Sequence, residues 1–341
     1  MTRHTRVDVV QEALLRNYWN ENTRIMNQWY PREACNPEEN YYYWWQAHVI
    51  DVWVDALERT GDGRYRENLK AIYEGIRESN GGEFLHPYYD DMEWLALALL
   101  RAYDATGEEM YKASVLELWA DIQTAWSGEL GGGMGWNKGQ RDYKNTPANA
   151  PAVILAARLY QRFGMPADLE WALKIYKWNK ETLVDPESGF VWDGINRMGN
   201  MQIDYDWAFT YCQGVFIGAG IELYRCTHEA VFLADAKRTA LACMERLCDP
   251  VSLLLPDEGI DDTGLFKGIL IRYLVELLRI APEMTEVKAV ITANVAILLE
   301  QGLDPESGLC APSWDKLPTL PVQLSVQLSG LMLLEAAEAL A

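Results

Sequence analysis

Positive charge is what this 341-residue chain has least of: 30 lysines and arginines stand against 50 aspartates and glutamates, for a formal net charge of −20. A surface this acidic repels phosphate backbones and anionic headgroups, so nucleic acid and a charged membrane surface are not expected partners. Histidine is scarce too, at four (His4, His48, His86 and His228), and no HExxH or Cys/His cluster occurs. No metal or organic cofactor is therefore expected. The six cysteines, Cys35, Cys212, Cys226, Cys243, Cys248 and Cys310, form no CxxC pair and read as reduced, mostly buried small residues. No segment reaches the ~18 uninterrupted apolar residues of a membrane span. The opening MTRHTRVDVVQEALL has no apolar stretch of signal-peptide length. The expectation is a cytoplasmic chain, which an upstream segment would change. Strand signals are nearly absent.

Helical periodicity is nearly everywhere, and it repeats. A small-residue, apolar helix, a short turn and a more polar helix recur five times. The turns centre on Gly61, Gly107, Gly164, Thr227 and Pro282. Glycine there suits a helix C-cap. The opening helix (about Val7 to Trp29) has no partner before it, and the closing helix (about Val322 to Leu340) has none after it. Paired with each other they make a sixth unit. The first helix of each unit is apolar on most sides and should be buried; the second is amphipathic and should lie outside. An open solenoid would need polar capping repeats, and LSGLMLLEAAEAL is too apolar for one. The expected fold is therefore all-α: an (α/α)6 toroid of twelve helices in inner and outer rings, with residues 1–341 as a single domain.

The long links that lead into inner helices fall on one face of such a toroid. They carry SGELGGGMGWNKGQRDYKN, VDPESGFVWDGINRMGNMQIDYDWAFTY and LDPESGLCAPSWDKLPTLPVQ, rich in Gly, Trp, Asp and Asn. The inner-helix starts on that face gather tyrosines, amides, carboxylates and lysines, the mixture a hydroxyl-rich ligand needs. Fourteen tryptophans and eighteen tyrosines supply flat rings of the kind that stack on sugars, though about half should serve helix packing. Tyr43, Trp44, Gln46, Tyr89 and Trp136 are the candidate substrate contacts.

HPYYDDMEW places two aspartates at one such start. Asp90 with Glu93 has the spacing of a capping box, which needs only one aspartate. A second adjacent carboxylate adds repulsion and should raise one pKa. Neighbouring helical positions diverge by about 100°, so the two carboxyl groups can lie ~5–6 Å apart, near the ~5–5.5 Å of retaining glycosidases. Asp90 and Asp91 are the candidate catalytic pair. Asp261 and Asp262 form a second acidic pair, read mainly as a helix start. GGGMGW lacks the GK[ST] ending of a phosphate loop and reads as a tight loop bringing Trp136 to the mouth. DPESG, present twice, reads as a turn. Lys138, Lys144 and Lys267 could be salt-bridge formers, Lys267 being the best site candidate.

YYYWWQAHVID, YYDDMEWLALALLRAY, GGGMGWNKGQRDYKNTPAN, FTYCQGVFIGAGIELYR and LFKGILIRYL, in that order, resemble glycoside hydrolase family 76. The resemblance implies an (α/α)6 toroid and endo-acting α-1,6-mannanase activity, with transglycosidases among the relatives. It implies an adjacent Asp-Asp pair acting with retention: Asp90 as nucleophile, Asp91 as general acid/base. It also implies sugar contacts by Asn145, Asn149, Tyr211, Gln213 and Lys267. One departure is TYCQG, with Cys212 where the family has an amide. The expected partner is a mannose-containing oligosaccharide as substrate, and the protein is expected to be a monomer. Rival readings are a sugar isomerase, for which acid/base histidines are too few, and a sugar-binding protein without catalysis.

Overall fold

The computed structural model describes residues 3–34 and 42–340. Twelve α-helices are found among them: α1 (Arg3–Tyr18), α2 (Tyr43–Thr60), α3 (Arg64–Ser79), α4 (Tyr89–Thr106), α5 (Glu109–Ile122), α6 (Ala150–Phe163), α7 (Pro166–Leu183), α8 (Thr210–Thr227), α9 (Ala230–Leu247), α10 (Thr263–Ile280), α11 (Thr285–Ile297) and α12 (Leu324–Glu338). The even-numbered helices pack in succession, α2 on α4, α4 on α6, and so on to α12, which packs back on α2. That contact closes the ring. Each odd-numbered helix leans on an inner partner, and α1 on α12 completes the sixth pair. The fold is the (α/α)6 toroid.

Burial follows the two periodicities. Met92 to Leu100 of α4 are all inside, none more than 4% exposed. On α3 the buried positions are Tyr65, Leu69, Ile72, Gly75 and Ile76, a single stripe facing the inner ring. Each fully buried Leu or Ile contributes about 1.5–3 kcal/mol, so the contiguous inner ring carries most of the stability. Gly61, Gly107 and Gly164 end their helices in the left-handed conformation, their N–H groups closing on Leu57, Tyr103 and Tyr160. His228 does the same in the fourth unit, with φ 60, although it is not glycine. Two glycines permit close backbone approach within the ring. A Cβ on Gly214 would lie 2.7 Å from Leu270 Cα, and one on Gly268 2.8 Å from Ser329 Cα.

The opening helix is shorter than its sequence pattern suggests. It ends at Tyr18, and the chain turns through β1 (Trp19–Asn20) and β2 (Ile25–Met26), which pair antiparallel. Asn20 takes the N–H of Asn22 on its side chain, and Arg24 has φ 57, so the turn breaks the helix. Neighbouring loops of the mouth are then knitted together. β3 (Trp29–Tyr30) pairs with β6 (Val322–Gln323), and β4 (Lys144–Asn145) with β5 (Gly194–Ile195). No described helix is long and apolar enough to cross a membrane.

The opposite end of the inner ring holds a cavity of about 470 Å³ lined by charged side chains. Ion pairs there stitch neighbouring inner helices: Arg59 to Glu335, Arg158 to Glu222 and Arg225 to Glu276, each at 2.8 Å. Asp55 of α2 takes Arg101 of α4 at 2.6 Å and Arg272 of α10 at 2.8 Å. Helices α2 and α10 are not ring neighbours, so this last bond reaches past α12 through the interior of the ring.

Candidate active site

Asp90 and Asp91 lie in the first turn of α4, at the mouth. The capping box is not observed. The N-cap position is Tyr88, without a side-chain cap, and the Glu93 side chain is fully buried inside α4's packing. The Asp90 oxygens are engaged elsewhere. Oδ2 accepts from Trp136 Nε1 at 2.9 Å, and Oδ1 accepts from the Asp91 N–H at 3.1 Å.

The glycine-rich loop delivers that indole. The Lys144 ammonium donates to four carbonyls of the loop, those of Ser127 (3.2 Å), Glu129 (2.7 Å), Gly132 and Gly133 (3.1 Å). The loop wraps a buried cation, and burial pushes that ammonium down to about 8. The Trp136 backbone N–H donates to the Tyr143 carbonyl at 3.0 Å, and its ring meets Tyr88 and Tyr143 edge-on.

The two aspartates differ in environment. Burial pushes Asp90 up to about 7, although the Trp136 and Asp91 N–H donors oppose the rise. Among the described residues Asp91 receives no N–H donor. Burial, then repulsion from Asp90 and Asp262, push it well above the usual carboxylate range. His86 lies close by, with Nδ1 3.2 Å from Oδ2. Asp262, at the head of α10, faces both. Its Oδ1 accepts from Trp44 Nε1 at 2.9 Å and Trp45 Nε1 at 3.1 Å.

The other candidate contacts divide. Trp136 is half-buried and reaches the dyad. Tyr211 is 9% exposed, stacks on Phe266 at 3.7 Å and donates its hydroxyl to Asp193 at 3.0 Å. Trp44 forms the floor, edge-on to His48 and beside Trp94. Tyr43 stacks on His86 and donates to the Phe84 carbonyl at 2.7 Å. Tyr89 is buried, its hydroxyl shared with Thr124 at 3.1 Å. Asn145 accepts the Ala148 N–H at 3.2 Å. Tyr41, at the start of the first motif, and Cys35 lie outside the described residues.

Four candidates are placed in the wall instead of the mouth. Gln46 takes the N–H of Met26 at 2.9 Å and gives its amide to the same residue's carbonyl at 3.1 Å. Asn149 grips Met134 in the same two-handed way, at 2.8 and 3.1 Å. Gln213 grips Val191 at 2.9 and 2.6 Å. Asn294 and Gln327 fasten the loops at Leu255 and Cys310 similarly. Lys267 is 2% exposed, donates to the Pro256 (3.2 Å) and Pro312 (2.5 Å) carbonyls and lies over the Trp314 ring. Such an amide satisfies a strand-like backbone edge that no second strand covers. Replacing Gln213 by Leu strands the buried Val191 N–H and C=O, at a cost of about 1–3 kcal/mol. The expected result is a lower urea midpoint with little change in KM. A raised KM at unchanged stability would instead make Gln213 a sugar contact.

Several residues at the mouth escaped the sequence. Asp193, 2% exposed, accepts from the hydroxyls of Tyr143 (2.9 Å) and Tyr211, from Arg197 (2.7 Å) and from the Cys212 thiol (3.5 Å). A lone aspartate in a long loop carries no signal of that convergence. The rings open to solvent are Tyr88 (38%), Trp207 (41%) and Tyr205 (59%), with the Arg197 guanidinium 3.5 Å over Trp207. The DPESG turns form as expected. Asp185 takes the Glu187 and Ser188 N–H groups, and Asp304 takes that of Glu306. A third copy at Asp249 escaped notice because Leu253 (φ 61) stands where the others have glycine.

This geometry has close counterparts. An inactive variant of the α-1,6-mannanase GH76A of Salegentibacter sp. HEL1_6, solved with α-1,6-mannotetrose, is 39% identical and superposes with a TM-score of 0.93, covering 100% of this chain and 99% of that one. A protein of Listeria innocua is 38% identical, with a TM-score of 0.94, covering 100% of this chain and 98% of that one. A putative mannan endo-1,6-alpha-mannosidase of Schizosaccharomyces pombe is 26% identical over 269 residues, 70% of this chain. The chain spans 59% of that relative's length. The profile described as Glycosyl hydrolase family 76 matches residues 3–338, so the toroid and its half-buried aspartate pair are carried by a chain that belongs to glycosyl hydrolase family 76.

Proposed function

We propose that the protein is a retaining glycoside hydrolase that cleaves α-1,6-mannosidic linkages, with Asp90 as nucleophile and Asp91 as general acid/base. The observation that carries the assignment of roles is the asymmetry of the pair. Asp90 is held by two N–H donors, which favour its ionised form. Asp91 has none and sits where a proton is favoured. One carboxylate and one carboxylic acid, side by side, are what double displacement requires. Asp90 attacks the anomeric carbon while the Asp91 proton passes to the leaving oxygen. Asp91 then takes a proton from water as the ester to Asp90 opens.

The Salegentibacter mannanase supports the same reading: it was made inactive at two consecutive aspartates. This chain has two such pairs, and geometry separates them. Asp261 is exposed, with φ 57 and its carboxylate bound by the Gln323 amide at 2.8 Å, a turn arrangement. Asp90 and Asp91 are half-buried on a rigid inner helix. The test is digestion of linear α-1,6-manno-oligosaccharides, with NMR of the first anomer formed. Release of the α-anomer is expected. A β-anomer first, or no cleavage of α-1,6 chains, would overturn the proposal.

A further inference from the structure

Two N–H donors hold Asp90, and they differ in what holds them. The Asp91 N–H belongs to the α4 backbone, whereas the Trp136 indole comes from a loop and goes where that loop puts it. Acids crowd the same carboxyl group: Asp91 on α4, Glu93 one turn on, Asp262 from α10 and Tyr211 from α8. The placement of one indole therefore weighs on whether Asp90 is ionised.

The loop has an unusual backbone. Leu130, Gly131, Gly132 and Gly133 follow one another with φ of 54, 77, 135 and 86°. A leucine does not take that conformation without a cause. The cause lies at the centre of the loop. The carbonyls of Ser127, Glu129, Gly132 and Gly133 turn inward onto the Lys144 ammonium, which is fully buried. An ammonium has three donors, so four carbonyls exceed what hydrogen bonding alone needs. They act as dipoles around a point charge, as in carbonyl-lined ion sites. Trp178 closes the cage. Its indole donates to the Leu130 carbonyl at 3.0 Å, and a Cβ on Gly133 would lie 2.6 Å from its ring. Lys144 also follows Tyr143, whose carbonyl takes the Trp136 backbone N–H. One strand thus grips the loop by a side chain and Trp136 by its backbone.

We propose that Lys144 is a positioning residue: its ammonium is the fixed cation around which residues 127–133 fold, and this sets the Trp136 indole on Asp90. The proposal rests on Asp90 as the nucleophile. The ammonium is the charged form at neutral pH. Burial pushes it down to about 8, Glu129 opposes that fall and Arg141 adds to it. A rival anchor exists, since Asn149 grips Met134 two residues before Trp136.

Lys144→Met keeps the length of the side chain and removes the cation. Trp136→Phe keeps an aromatic ring and removes the donor. Carboxyl-carbon NMR of the substrate-free protein reads the Asp90 titration. Trp136→Phe should raise its midpoint by about one pH unit, the scale of one hydrogen bond to the charged form. Lys144→Met should raise it by a similar amount, and the double variant no further. An unchanged midpoint in Lys144→Met overturns the proposal, because Asn149 then suffices. Shifts that add in the double variant also overturn it, because the lost charge then acts on Asp90 directly and not through the indole. On an α-1,6-manno-oligosaccharide, Lys144→Met should lower kcat/KM about tenfold on the acid limb and approach wild type as the pH rises through it. A loss equal at every pH would mean loosened packing alone and overturn the proposal. Midpoints that move as expected while no mannoside is cleaved uphold the inference and sink only the functional reading. Lys144→Gln, uncharged but with two N–H donors, replaces the Met variant should that not fold, and is read the same way. Proton–nitrogen NMR of the wild type needs no variant. The Lys144 ammonium protons should exchange slowly with water, and exchange as fast as that of surface lysines overturns the cage.

Discussion

Asp90→Asn is expected to lower turnover on α-1,6-mannosides by roughly four to six orders of magnitude, the range that loss of a covalent nucleophile produces. It should do so without unfolding the protein. An amide keeps the size of the side chain and can still accept from Trp136 Nε1. Asp91→Asn should cost about 10²–10⁴-fold, the share of a general acid, and less on an activated aryl glycoside. The stability change has a definite sign. An unfolded aspartate titrates near 3.9, whereas burial holds folded Asp90 at about 7. Folding therefore takes up protons between those values. The wild type has its full stability from this group below the lower value and loses it as the pH rises through the upper one. Asn has no such loss. The melting temperature of Asp90→Asn relative to wild type should rise from pH 5 to pH 8. Retained turnover would remove Asp90 from the mechanism. A variant that melts lower at pH 8 would show the carboxylate to be structurally required.

The second large effect is expected far from the mouth. Asp55→Ala removes the carboxylate that takes Arg101 at 2.6 Å and Arg272 at 2.8 and 3.1 Å. Arg272, 18% exposed, would lose the carboxylate it binds, while Arg101 would keep Asp51 at 2.7 Å. Breaking one side of a buried ionic cluster costs about 3–5 kcal/mol. The urea midpoint should fall with little change in slope. Burial alone would push the Asp55 carboxyl up, but Arg101 and Arg272 hold it below the usual range. The stabilisation is thus present above about pH 3.9 and lost as the pH falls through the folded value. The gap between wild type and variant should therefore narrow in acid. A midpoint unchanged at pH 7 would show that Arg101 and Arg272 find equivalent partners.

The ring was legible because helix period and turn chemistry agree at each repeat. Gly61, Gly107 and Gly164 end helices whose apolar faces continue all round, and the first and last helices have no other partner. The Asp90–Asp91 pair was legible because two adjacent carboxylates exceed what a cap needs. The amides were not. Gln46, Asn149 and Gln213 read the same whether they grip a sugar or a strand edge, and only the fold shows Met26, Met134 and Val191 beside them. Asp55 and Arg272 lie 217 positions apart, so no local pattern announces their pairing. The end of α1 at Tyr18 was hidden because the polar residues after it suit a helix surface as well as a turn.

The two-handed amides have a consequence for how this scaffold can vary. Gln46, Asn149 and Gln213 each fasten a single loop residue to the inner ring, and the rivet uses backbone atoms of the loop rather than its side chains. Sequence between rivets can therefore change, lengthen or be exchanged without disturbing helix packing, and one loop can be replaced while its neighbours keep their anchor points. Residues 196–207, beyond the fastening at Val191, already use that freedom to display Tyr205 and Trp207. The toroid behaves as a chassis with interchangeable fittings, and recognition of longer or branched glycans becomes a matter of which fittings are mounted.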